Sequence, residues 1–324
     1  MNKTIAIAAC ALALCTGAHA AQITSVELAR PGGARHYLMA TPEHGAAGKQ
    51  ALVILFHGHG GSAKLVLGRT SFAAPLSVWL GIAEREQVLI IAPDGIKGSD
   101  GDTGWNDCRA DAETSAHSDD SGFVGAIIDQ AIAEQHVDPA RIYVMGVSNG
   151  AGMVLRLASD IGPRLAGFAA VSMSAAAQSL CPAPSTPLSA LFIAGSDDKL
   201  APYAGGKVGV FPLRGRGSVI GVDASVAQWR ALDHLADAPV RREAAHRLAH
   251  DPTRALRSTW GMDPHRLQVQ LLRIEHGGHL EPSIAKRYGW GLTLMLGAQN
   301  GDVEVAEEAW AFFKDKRSGL APQH

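Results

Sequence analysis

The sequence predicts an α/β protein, a mostly parallel central sheet with helices on both faces. Two observations carry this. Solid apolar runs of strand length recur along the chain, at residues 51–56 (ALVILF), 88–92 (VLIIA) and 141–147 (RIYVMGV). Such runs suit strands buried on both faces. Between them lie stretches with apolar residues at helical spacing, and an alternation of strand and helix is what builds a parallel sheet.

In chain order, alternating residues at 23–28 and 35–40 flank Pro31-Gly32-Gly33 and read as a hairpin. The strand at 51–56 ends in His57-Gly58-His59-Gly60-Gly61. A helix over 76–85 leads to the strand at 88–92, closed by Pro93-Asp94-Gly95, and a Gly, Asp and Ser-rich loop follows over 98–118. Phe123, Ile127, Ile128, Ala131 and Ile132 place a helix at 121–135, with Asp120 or Ser121 as its cap. Asp138-Pro139 is expected to turn the chain into the strand at 141–147, and a helix begins just past Ser148. Strands follow at 166–173 and 188–194, then a helix holding Val226, Trp229 and Leu232. Residues 241–265 show little pattern beyond a strand at 255–260. The last strand is expected at 267–274 and the last helix at 303–314. In such sheets ligands sit at the carboxyl ends of the strands.

The first residues read as an address. Lys3 precedes an apolar run at 5–14, too short to span a bilayer, and Ala18-His19-Ala20 offers small residues for cleavage before Ala21. A lipoprotein reading at Cys15 is disfavoured, because Leu14 stands where a small residue is expected. The expectation is a cleaved leader over residues 1–20, a single catalytic domain over 21–324, and export to the periplasm or medium. With 29 Lys and Arg against 31 Asp and Glu, the chain has no basic stripe for nucleic acid and no polybasic helix for a membrane surface. Cys10 and Cys15 leave with the leader. The even pair that remains, Cys108 and Cys181, is expected to form a disulfide in an oxidising compartment; the alternative is two buried free thiols.

Gly146-Val147-Ser148-Asn149-Gly150 follows a strand and precedes a helix. That context makes it the G-x-S-x-G nucleophile elbow of the α/β-hydrolase fold. A serine hydroxyl needs a base, and the base an orienting acid. In this fold they follow in the order Ser, Asp or Glu, His. Asp197 and Asp198 both follow the strand at 188–194, and His276 and His279 both follow the last strand. Residue order alone leaves both choices open. The oxyanion calls for the Asn149 amide and a second amide from the loop after the strand at 51–56.

The motifs resemble, in order and over nearly the whole mature chain, a family of secreted esterases that includes polyhydroxybutyrate depolymerase-like enzymes, feruloyl esterases and acetylxylan esterases. They are His57 to Gly61, Pro93-Asp94-Gly95, Gly104-Trp105-Asn106-Asp107, Gly146 to Gly150, Gly195 to Asp198 with Pro202-Tyr203 and Gly205-Gly206, Gly277 to His279, and Trp310, Phe312 and Phe313. The resemblance implies a triad of Ser148, Asp198 and His279, with Asp197 a loop hydrogen-bonder and His276 structural. It implies oxyanion donors on the His59 and Asn149 amides, with Gly60 the runner-up, and substrate contacts at Trp105 and Tyr203. His57 is read as bracing its loop. Neither metal nor organic cofactor is required.

The sequence departs from that pattern after His279, where Leu280-Glu281-Pro282-Ser283 and a long segment to Gly301 replace a short link. No further module follows the last helical pattern, so the expected substrate is a soluble or oligomeric ester, of feruloyl or acetyl-sugar type or a hydroxybutyrate oligomer. Two rival readings stand beside it. One is a metal-dependent hydrolase using His57, His59, His276 and His279, which leaves the elbow unexplained. The other is a non-catalytic ligand-binding protein on the same fold.

Overall fold

The computed structural model describes residues 21–43, 48–209, 215–236 and 238–319. The leader expected over 1–20 lies outside them. Ten strands form one sheet: β1 (Gln22–Leu28), β2 (Arg35–Thr41), β3 (Gln50–Phe56), β4 (Val88–Pro93), β5 (Val137–Val147), β6 (Gly167–Val171), β7 (Ala190–Gly195), β8 (Val240–Glu243), β9 (Arg254–Trp260) and β10 (Val269–Glu275). Their order across the sheet is β1-β2-β4-β3-β5-β6-β7-β10-β9-β8. The run from β4 to β10 is parallel throughout, and antiparallel pairs flank it on both sides.

Burial explains why the centre reads as unbroken apolar runs. Along β3, Leu52, Ile54 and Phe56 enter one core, while Ala51, Val53 and Leu55 enter the other. Successive side chains point to opposite faces, so a strand covered on both sides has no polar position. The first core holds helices α3 (Asp120–Glu134), α4 (Asn149–Asp160) and α5 (Val222–Leu232), through Phe123, Leu157 and Trp229. The second holds α1 (Ala63–Val66), α2 (Trp79–Glu86) and α7 (Val305–Phe313), through Val66, Trp79 and Phe313. The short α6 (Trp290–Leu296) buries no residue. Among the described residues no helix is long and apolar enough to cross a membrane.

Three local expectations need correction. The cap of α3 is Asp119, whose carboxylate accepts the Gly122 N–H at 2.9 Å. Asp120 is drawn inward, accepting from Arg35, the Ser118 hydroxyl and the Asn106 amide. Asp138-Pro139 does not turn the chain before the strand. It lies within β5, where a register irregularity against β3 absorbs it. Finally, β8 forms from Val-Arg-Arg-Glu, an exposed edge strand whose charges hide it from a search for apolar runs.

Candidate active site

Ser148 is the first residue past β5 and caps α4. Its backbone sits at φ 55°, ψ −125°, a region non-glycine residues rarely occupy and that costs about 1–3 kcal/mol. The surroundings hold it there. Its N–H donates to the Val171 carbonyl of β6 at 2.8 Å, and its carbonyl accepts from Ala151 and Gly152 at 2.8 and 3.1 Å. Only glycine fits on either side. A Cβ on Gly146 would lie 2.2 Å from the Gly150 carbonyl oxygen, and one on Gly150 would lie 2.5 Å from the carbonyl oxygens of Phe56 and His57. The side chain stands at the positive end of α4, which favours developing negative charge.

β7 and β10 are hydrogen-bonded neighbours, and the loops leaving them are laced together. Ser196 N–H donates to the Ile274 carbonyl and Asp197 N–H to the Gly277 carbonyl, both at 2.9 Å. Across this junction His279 Nδ1–H donates to Asp198 Oδ2 at 2.7 Å. Asp198 Oδ1 accepts the amides of Leu200 and Ala201 at 2.8 and 2.9 Å. Both side chains are buried. His279 Nε2 is also buried and has no hydrogen-bond partner among the described residues, the Ser148 hydroxyl included. In resting enzymes the link from base to nucleophile often tightens only with substrate. Leu200, held by Asp198, lines a small cavity together with Ser148, His59, Asn149 and Met173. By contrast, Asp197 and His276 form an exposed pair at 3.5 Å, and Asp197 takes the Ser196 hydroxyl.

The Gly60 amide is committed to the Thr103 carbonyl at 2.7 Å. The amides of His59 and Asn149 have no acceptor among the described residues. The His59 ring lies 2.9 Å from Asp100 and 3.7 Å from Asp102. Burial and then Arg216 push its pKa down, against those two carboxylates. The His57 ring accepts the Gly95 N–H at Nε2, 2.9 Å, so Nδ1 carries the proton and donates to the Gly58 carbonyl at 2.7 Å. Burial lowers its pKa and keeps it neutral. The loop is thus braced through one fixed tautomer.

Neither expected substrate contact lines the cavity at Ser148. Trp105 has no exposure at all: its indole N–H donates to the His57 carbonyl at 2.9 Å and its ring packs on Phe56 and His57. Tyr203 faces another cavity, its hydroxyl bonded to Asp223 at 2.7 Å and its ring beneath Arg273. The four histidines of the metal reading are not gathered. Among the described residues the one trio with metal-ligand spacing is His59, Asp100 and Asp102, and His57, His276 and His279 are outside it.

The Cys108–Cys181 disulfide is present, with Cα atoms 5.6 Å apart. It ties the loop after Trp105 to the loop after β6, reinforced by Ala110 N–H to the Gln178 carbonyl and Leu180 N–H to the Cys108 carbonyl. Sequence reasoning missed the role of the Asn149 side chain. It accepts the Trp105 amide at 2.7 Å and donates to the Trp105 carbonyl and to Asp107. Asp107 in turn pairs with buried Arg109 at 2.7 Å. The juxtaposed motifs around Trp105 and Asn149 carried that signal, but nothing in them specified the bonds. Arg109, Met173 and Arg216 also line the cavity, and no sequence pattern marked them.

The fold and this arrangement define an α/β-hydrolase of the esterase type. The phospholipase/carboxylesterase family model matches residues 40–209, and the chain belongs to that family. It is a serine hydrolase of carboxylic esters. A putative esterase, NocK, of Nocardia uniformis subsp. tsuyamanensis is 27% identical over 271 residues, covering 81% of this chain and 73% of that protein. A probable feruloyl esterase C of Aspergillus niger is 28% identical over 176 residues, which is 53% of this chain and 58% of its own length, so the chain spans less than two thirds of it. The solved acetyl xylan esterase from Aspergillus awamori superposes with a TM-score of 0.55 at 12% identity, over 90% of this chain and 99% of that one. At that identity the likeness is one of fold.

Proposed function

We propose that Ser148, Asp198 and His279 are the catalytic triad of this esterase, with the His59 and Asn149 amides as its oxyanion hole. The observation that carries the reading is the 2.7 Å bond from His279 to Asp198, which leaves Nε2 buried and unpartnered at the end of the sheet where Ser148 is strained. His279 Nε2 takes the Ser148 proton as Oγ bonds the ester carbonyl carbon. The oxyanion rests on the two amides, and Asp198 steadies the imidazolium. The carbon–alkoxide bond then breaks, and the alcohol leaves with the proton from His279. Water attacks the acyl-enzyme, gives its proton to His279, and the acid departs as Ser148 is reprotonated.

The substrate we propose is a soluble or oligomeric ester, of feruloyl or acetyl-sugar type or a hydroxybutyrate oligomer. The names borne by the relatives favour the first two. We further propose that residues 1–20 are a cleaved leader, that residues 21–324 form one catalytic domain, and that the protein works outside the cytoplasm. The disulfide supports export, since such bonds persist in oxidising compartments. The test is Ser148→Ala on a short-chain chromogenic ester. A loss of about three or more orders of magnitude in kcat, with the fold intact, is expected. Equal activity in both proteins would sink the triad, and inactivity in both would favour a ligand-binding role.

A further inference from the structure

Arg216 lines the nucleophile's cavity with Ser148, His59, Asn149 and Arg109, and it lies near enough to His59 to depress the pKa of that ring. Its main chain is fastened on both sides. The Gly215 carbonyl accepts the Thr114 N–H and hydroxyl, both at 3.3 Å, and the Gly217 carbonyl accepts the Val208 N–H at 2.8 Å. The Arg216 carbonyl itself accepts from the Arg109 guanidinium, and Ser218 gives both its N–H and its hydroxyl to Asp111.

The side chain is not fastened. Half-buried, the Arg216 guanidinium makes no hydrogen bond and no ion pair among the described residues. The other charged groups around it are already engaged. Arg109, the second arginine in the cavity wall, is met by Asp107 at 2.7 Å, and Asp100 lies 2.9 Å from the His59 ring. Asp100 and Asp102 act on Arg216 only through their charge, against the larger effect of its burial. Arginine stays protonated in proteins, so a cation with five N–H donors lines the cavity of the nucleophile unpaired. Such a group is costly to withdraw from water until a partner meets it.

We propose that Arg216 binds a free carboxylate on the substrate, so that this esterase acts on short esters carrying that group a few bonds from the ester carbonyl. The proposal rests on the serine-esterase reading and names its substrate class. A guanidinium fork matches a carboxylate through two parallel N–H···O bonds. The short spacing follows from Ser148 and Arg216 lining one small cavity. A singly charged carboxylate is favoured over a phosphate dianion, because Asp100 and Asp102 near the guanidinium repel additional negative charge. Feruloyl and acetyl-sugar esters have no such charge beside the ester, whereas the terminal unit of a hydroxybutyrate oligomer has.

The test pairs each carboxylate ester with its uncharged carboxamide. Monomethyl glutarate against methyl glutaramate carries the group on the acyl side, and 3-acetoxypropanoate against 3-acetoxypropanamide carries it on the alcohol side. The readout is the ratio of kcat/KM within each pair near pH 7.5, from acid released in a pH-stat. At least one ratio should favour the carboxylate in the parent and fall about tenfold or more in Arg216→Gln, the scale of a hydrogen bond to a charged group. Arg216→Lys should restore part of the ratio, since it keeps the charge and loses the fork. Ratios near one in the parent overturn the proposal, and that arm needs no variant to fold. So does an equal loss on both members of each pair in Arg216→Gln, which would assign the guanidinium to the oxyanion instead. Ser148→Ala, silencing every ester, keeps the triad standing in that event, so the two failures are distinct.

Discussion

Asp198→Asn isolates the bond on which the triad reading depends. Asp198 Oδ1 is held by two backbone donors, Leu200 N–H and Ala201 N–H, while Oδ2 faces His279 Nδ1. An asparagine must choose an orientation. Turning its NH2 toward the two amides would strand two buried donors, at about 1–3 kcal/mol each. The carboxamide oxygen therefore stays on the amides, and the NH2 points at His279. Nδ1 must then accept, so the proton moves to Nε2, the atom meant to receive the Ser148 proton. The geometry survives and the tautomer is wrong. The same change in the serine-protease triad costs about 10⁴ in kcat, or about 5.4 kcal/mol of barrier. We expect a loss of that order on p-nitrophenyl acetate near pH 7.5, with an unchanged melting temperature. Asp197→Asn is the control. Its carboxylate is exposed and, among the described residues, engages only Ser196 and His276, so activity should stay within about twofold, as for most exposed sites. An Asp198→Asn enzyme that kept a tenth of its activity while Asp197→Asn lost it would refute the reasoning and exchange the two acids.

Three further outcomes are expected. Gly150→Ala should destabilise by about 3 kcal/mol or more, because its Cβ meets two carbonyl oxygens at 2.5 Å. Gly81→Ala, in mid-α2 with nothing within 4 Å of the new Cβ, should stabilise by about 0.5–1 kcal/mol; similar melting shifts in the two would contradict the steric account. Asp233 is wholly buried, with Oδ1 on the Leu188 amide and Oδ2 unpartnered among the described residues, and burial pushes its pKa up to about 8. From about pH 4 upward the unfolded chain has lost this proton while the folded protein keeps it, so stability falls as pH rises toward 8. Asp233→Asn should flatten that slope and gain most over the parent near pH 8 in urea titrations at pH 5, 6.5 and 8. Parallel curves for the two proteins would rule the carboxyl out as the source.

The sequence made the parallel strands legible because double burial leaves no polar position in them, as in β3. It made Ser148 legible because two close backbone approaches demand glycine at 146 and 150. Choosing Asp198 over Asp197 and His279 over His276 required the family resemblance. Each pair lies on one short loop, and its two members differ in which side chain turns under the loop and which into solvent. Trp105 and Tyr203 show the converse. Motif membership placed them near the site, but ring direction was set by partners distant in sequence, the His57 carbonyl for one and Asp223 for the other. A cavity of about 210 Å³ beside α4 was invisible for the same reason, since its walls come from α4, α5 and two disulfide-tied loops.

The segment after His279, where the sequence leaves the family pattern, returns to the main chain of His279 itself. Its backbone doubles back so that Gly278 N–H donates to the Ala298 carbonyl at 2.9 Å and His279 N–H to the Leu296 carbonyl at 2.7 Å. The far end of the excursion is fastened in turn. Gln299 donates to the Glu281 and Lys286 carbonyls, and Ser283 and the amides of Ile284 and Ala285 converge on Glu304 beside α7. The imidazole is therefore positioned from two directions, by Asp198 through its ring and by Leu296 through its main chain. A hydroxyl–imidazole contact tolerates little misplacement, and a shift of about 1 Å can cost about a hundredfold in rate. In the proposed triad the long segment would then help to set where His279 stands, and α6, which buries nothing of its own, lies in the stretch by which the chain returns to it.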